Sequence, residues 1–353
     1  MHIHGSNSLM SVSSRLRFAL LCIATAWLAL PSCSPQAGGG IGGTGAVSSV
    51  SSGPVTRFGS IYISGTEYDN TDTLYCVDDE PCSQENTLKV GMVVLVNGIL
   101  TDPSANQQAG SRVANTIFYE ETVEGVVQSV ARDGSSLMVL GQLIAVNEGT
   151  VIDTSIQGQS LANLTPGIDV VEISGLVAGD GHIVATLIMK QSGTPHYEIQ
   201  GTIKNHDVRA KRFEIGQLVV DYSAADVTDL SALGAPTWDG RIVHVRGDQW
   251  TAMGTVTQRP ELTAMRVKQL GLGVEDSSEA KLEGFITQIK PTGELSINNH
   301  PILVMPSTTF EGGTLADLSL GDHVHVHGEL VAEVLQAHHI VFKRNLPTQP
   351  RGE

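Results

Sequence analysis

The chain has 353 residues, only 5% aromatic side chains and a formal net charge of −16. Carboxylates in such excess repel phosphate backbones, and few rings are available to stack bases, so nucleic-acid binding is disfavoured on both counts. The length leaves room for two or more domains.

In chain order, Arg15 and Arg17 precede an almost unbroken apolar run from Phe18 to Leu30, closed by Leu30-Pro31-Ser32-Cys33. A basic region, an apolar stretch and a small residue before a processing site are the parts of a secretory signal peptide. The run is about thirteen residues, short of the roughly 20 that span a bilayer as a helix. Leu-Pro-Ser-Cys resembles the bacterial lipobox, although Pro31 stands where Ala or Ser is more usual. That resemblance implies a signal peptide over 1–32, acylation of Cys33, and membrane attachment of the mature chain. Residues 1–32 carry no acid, so removing them with Arg15 and Arg17 leaves the chain two charges more negative.

Residues 33–53 then read as the lipidated Cys and a tether, since Gly38 to Gly45 is nearly all glycine and cannot bury apolar area. Ser34, rather than an acid, favours the outer membrane by analogy with Gram-negative lipoproteins, facing the periplasm or the cell surface. Met10 is an alternative start of translation, so His2 and His4 receive no metal-binding reading. Of the four Cys, Cys22 leaves with the signal and Cys33 is the anchor. Cys76 and Cys82 remain, and in an oxidising envelope a disulfide closing their small acidic loop is expected. A Zn²⁺ site there would need a second Cys or His pair, and none is close in sequence.

Internal repetition is the strongest signal. Val123-Glu124-Gly125-Val126 is echoed by Ile199-Gln200-Gly201-Thr202 and Leu282-Glu283-Gly284-Phe285, and more weakly by Ser52-Gly53-Pro54-Val55. An alternating run follows each opening: Ser60–Ile63, Leu137–Val139, Arg212–Ile215 and Glu294–Ile297. A turn and another strand come next, then a short helical signal such as Leu161-Ala162-Asn163-Leu164 or Leu315-Ala316-Asp317-Leu318. Next is a strand ending in Gly, with apolar pairs Val94/Val96, Val171/Ile173, Val243/Val245 and Val324/Val326 assigned to the interior. A closing strand around Ala114, Ala185, Ala264 or Ala337 ends each unit. Period-2 alternation marks half-buried strands. Five such strands with one helical turn suit a small closed barrel of OB type, which also removes exposed edges.

The expected fold is all-β: signal peptide and Gly-rich tether, then four tandem small OB-like β-barrel modules at 54–120, 121–191, 196–271 and 280–344. The E-G-x-V opening, G-x-x-V-x-V-x-G strand and A-x-x-I closing strand resemble the domain-of-unknown-function 5666 family. The resemblance spans roughly 54 to 343 and is clearest in the second and fourth modules. It implies tandem barrels in an exported bacterial protein and supplies no catalytic residues. The first module departs from it with the Cys loop and an insertion near Asp102 to Gly110, the third with a longer Tyr222 to Trp238 segment.

No nucleophile elbow, P-loop, dinucleotide fingerprint or zincin helix is present. Asp78-Asp79-Glu80 and Glu120-Glu121 read as solvated turn and edge residues. His323, His325 and His327 share one strand face, and a hairpin near Val331 to Glu333 would set His338 or His339 across from them. Such imidazoles could hold Zn²⁺ or Cu²⁺, or charge together between about pH 5 and 7. Against this, the same face in the other modules carries Glu172/Ser174 and His244/Arg246, which reads as a solvent face. The expectation is therefore a membrane-anchored, non-enzymatic binding or scaffold lipoprotein without a required cofactor. Its partner would be an envelope protein, a glycan or a small molecule. A metal-binding or pH-responsive protein using the fourth module is the alternative.

Overall fold

The computed structural model describes residues 47–343 except 79, 102–110, 194–195, 232–233, 253–258, 275 and 291–293. The signal, Cys33, most of the tether and the Asp102 to Gly110 insertion lie outside the described residues.

The described chain is almost wholly β, and its sheets close in a barrel-like way. In residues 123–191 the first strand, Val123–Val130, pairs antiparallel with the second, Ser136–Val139, which pairs with the third, Gln142–Ala145. The third runs parallel to the fifth, Ile183–Gln191, and the fifth pairs antiparallel with the fourth, Val170–Val177. The fourth returns to the first, closing the path. This Greek-key order is the one an OB-type barrel uses. The same order recurs over 197–269 and 277–342, and over 47–119 with a third strand broken into Thr66–Tyr68 and Leu74–Val77. The expected short helices are 3-10 turns at Leu161–Asn163 and Leu315–Asp317 and a single α turn at Thr228–Ser231.

All eight fourth-strand residues assigned to the interior are buried. The glycines at the two ends of these strands serve different needs: Gly91, Gly240 and Gly321, before the strands, have positive φ, and the glycine that follows each pair does not. Gly98, Gly175, Gly247 and Gly328 are absent from the left-handed region. Each sits at a register shift, and a Cβ there would come 1.9–2.7 Å from a carbonyl oxygen of the fifth strand. Close backbone approach at a bulge, not φ, requires glycine.

The stretches do not stand apart. The first strands of the two inner ones pair antiparallel, Val123 opposite Ile199, and their interiors form one continuous apolar cluster. The first strands of the two outer ones run parallel, Ser49 to Ser52 beside Glu279 to Leu282. Leu187 and Met189 of the second stretch pack into the core of the first. At Gly91 a side chain would strike the Thr186 carbonyl at 2.5 Å, and at Gly179 the Gly321 amide at 2.7 Å.

Candidate functional site

Where the four stretches meet they leave a cavity of about 710 Å³. Leu95, Phe118, Leu176 and Ile242 give it apolar walls, Glu120 and Lys268 form a charged pair on one wall, and Asp229 and Glu333 also line it. It lies at the junction of barrels and not on the second-and-third-strand face of any one of them.

Behind the charged wall is a buried cluster. The alternation Val243-His244-Val245-Arg246 sends the valines into the barrel and turns His244 and Arg246 to the opposite face. That face meets neighbouring chain instead of water. Antiparallel pairing sets Gln200 opposite His244 and Glu198 opposite Arg246. The Gln200 side-chain amide donates to the carbonyls of Glu120 and Glu121 at 2.8 and 3.0 Å, pinning the link between the first and second stretches over the imidazole. His244 Nε2 lies 3.1 Å from Glu198 Oε2 and 3.9 Å from Glu121 Oε1. On the ring's other edge, Nδ1 lies 3.4 Å from Glu120 Oε2, and the other Glu120 oxygen is ion-paired with Lys268. Arg246 Nε contacts Glu198 Oε1 at 3.2 Å.

Two readings are corrected here. Glu120 and Glu121 are not solvated edge residues: Glu121 is 3% exposed, and Glu120 and Asp78 are half-buried. Glu80 is exposed as expected, and Asp79 lies outside the described residues. The outer face of the fourth strands is not a solvent face either. Glu172, Ser174, His244 and His325 are all buried. Ser174 Oγ accepts from the Val93 amide at 2.7 Å, and Tyr119 donates its hydroxyl to Glu172 at 2.6 Å. The physical reason is packing between barrels, which covers faces that a lone barrel would expose. The signal available in the sequence was that titratable residues recur at one register position, Glu172, His244 and His325.

Protons are redistributed accordingly. Burial, reinforced by Asp78 and Glu198, pushes the Glu121 carboxyl well above the usual carboxylate range. Burial raises Asp78 as well, and lifts Glu124 to about 7. Burial works upward on Glu198 too, but His244, Glu121 and Arg246 outweigh it and hold the group low. Neighbouring carboxylates with opposed shifts are a frequent mark of functional sites.

The histidines of the fourth stretch divide. His323 Nε2 and His325 Nε2 both face Glu283, at 3.0 and 2.7 Å. His327 is paired with His339, as the hairpin register expected, with ring centroids 6.2 Å apart. His339 Nδ1 shares a hydrogen bond with Thr309 Oγ1 at 2.8 Å, and His338 points to the exposed Glu329, 3.9 Å away. The five do not gather at one point. Among the described residues, the trio whose ligand atoms converge within 4.8 Å is Glu121, Glu198 and His244. Cys76 and Cys82 are bonded, with Cα atoms 4.2 Å apart.

Fold and site together define an all-β protein whose small barrels border an open cavity beside a buried acid–imidazole cluster. Residues 124–189 and 283–341 match the family model for the domain of unknown function DUF5666, the two stretches in which the repeat is clearest. No curated protein matches the chain.

Proposed function

We propose that the chain is an exported lipoprotein, held at the outer membrane through Cys33, whose four OB-like modules act jointly as a non-enzymatic binding protein. The ligand class is a small, largely apolar molecule with one polar end. The cavity of about 710 Å³ between the modules carries this reading. Its size falls among ligand sites, which favour domain junctions and combine apolar walls with few polar groups. Glu120 and Lys268 would orient the polar end, and the apolar walls would take the rest.

Two experiments test the parts separately. Cys33→Ser should move the protein from the membrane fraction to the soluble envelope fraction and abolish acyl labelling; unchanged partitioning would sink the anchor. Native mass spectrometry of protein taken from its own membranes should show a bound small molecule. Val177→Trp, which fills one wall, should lose it while circular dichroism stays unchanged. A ligand-free wild type, or equal retention by the variant, would refute the cavity as the binding site.

A further inference from the structure

We propose that Glu121, Glu198 and His244 bind one divalent first-row transition-metal ion, with Zn²⁺ the ion their donors suit best. The site lies beside the cavity and away from the histidine-rich strands of the fourth stretch.

Three observations carry it. First, the His244 and Glu198 side chains are buried (4% and 3% exposed), and His244 Nε2 faces Glu198 Oε2 at 3.1 Å, with no other hydrogen-bond partner for either atom. The Glu120 carboxylate behind the ring favours hydrogen on Nδ1, which leaves the Nε2 lone pair aimed at carboxylate lone pairs. A proton or a metal ion between them makes that arrangement attractive, and Glu121 Oε1, 3.9 Å from the same nitrogen, supplies the third donor that an ion would engage. Second, the spacing suits an ion. Ligands about 2.1 Å from a tetrahedral Zn²⁺ are about 3.4 Å apart, and the contacts from His244 Nε2 are 3.1 and 3.9 Å. Third, the surroundings are those of metal centres: a carboxylate on the far nitrogen of the imidazole, and Arg246 holding the other oxygen of Glu198.

Charge points the same way. Four carboxyl groups, Asp78, Glu120, Glu121 and Glu198, stand there against two cations, Lys268 and Arg246. One imidazole and two carboxylates match Zn²⁺ better than Ca²⁺ or Mg²⁺, which prefer all-oxygen sets. Three protein donors leave a fourth position for water. Glu120, Thr122 and Gln200 line the cavity and give an ion its way in.

The test is Zn²⁺ titration of the mature, metal-stripped protein at pH 7.5, with bound metal counted by elemental analysis. The expected result is one ion per chain. His244→Gln and Glu198→Gln should weaken binding at least on the order of 100-fold, and Glu120→Gln, behind the ring, about 10-fold. A His325→Ala, His338→Ala double variant should bind as wild type does. X-ray absorption at the Zn edge of the wild type guards against variants that fail to fold, and should show one imidazole with oxygen neighbours. Absence of stoichiometric uptake, three or more imidazoles at the metal, or loss confined to the His325/His338 variant would each overturn the proposal.

Discussion

The Ser277 hydroxyl donates to the Ser48 carbonyl at 2.9 Å, across 229 residues of chain. It marks a seam along which the first and last stretches zip together, and Arg112 crosses that seam to Glu279 at 2.6 Å. Glu279 also holds Lys281 at 3.1 Å. Glu279→Ala leaves two largely covered cations facing each other, so a loss of about 1–3 kcal/mol is expected. Urea unfolding would show it as a lower midpoint with unchanged slope. A midpoint equal to wild type would mean that the seam does not contribute to global stability.

The bulge glycines make a second prediction. A Cβ on Gly328 would stand 1.9 Å from the Gln336 carbonyl oxygen, backbone that cannot step aside without breaking the hairpin. Gly328→Ala should cost at least about 1–3 kcal/mol, the usual range for overpacking. Gly134→Ala is not a neutral control, because its φ of 72° disfavours a side chain, but nothing lies within 4 Å. Thermal melting of both should rank Gly328→Ala as the more damaging.

Removing the disulfide should do less than disulfide loss usually does. It joins residues six apart, and a loop this short restrains the unfolded chain by about 2 kcal/mol. Tyr75 and Ser83 exchange backbone hydrogen bonds of 2.7 and 2.9 Å across the same loop. A Cys76→Ala, Cys82→Ala protein should therefore still fold. Differential scanning calorimetry with and without reductant checks the size of the change.

Stability should fall on the acid side through histidine. Burial pushes His327 down to about 4, with Lys281 and His325 adding to the effect, and burial does the same to His300. An unfolded His titrates near 6.5, so the unfolded chain binds more protons between about pH 4 and 6.5. The contribution is complete above about 6.5 and is lost as pH falls towards 4. Glu124 acts in the opposite sense, because its raised folded value near 7 gives stability that is lost as pH climbs from about 4.5 through 7. Unfolding midpoints at pH 4.5, 6 and 8 should show His327→Gln flattening the acid decline and Glu124→Gln gaining on wild type at pH 8.

Alternation and repetition made the interior legible. Val243, Val245 and their counterparts follow from period 2 alone, and the punctuating glycines follow from their recurrence. What one barrel's pattern could not reveal was its neighbours. His244 and Glu172 look like surface residues because the chain that covers them comes from other stretches. Glu120-Glu121 likewise reads as a polar link until Gln200 is known to clasp both carbonyls from the third stretch. Beyond the titratable residues that recur at the register position of Glu172, His244 and His325, junction residues carry no periodic signature of their own, whereas the fourth-stretch histidines drew attention by density.

The parallel zipper between Ser49–Ser52 and Glu279–Leu282 also sets an order of events. Its early partner is synthesised first and waits for nearly the whole remaining polypeptide before its edge is covered. Such distant pairing is slow to form and exposes a sticky margin meanwhile. The cavity cannot exist in a nascent chain, so any occupant must enter after the last stretch has arrived.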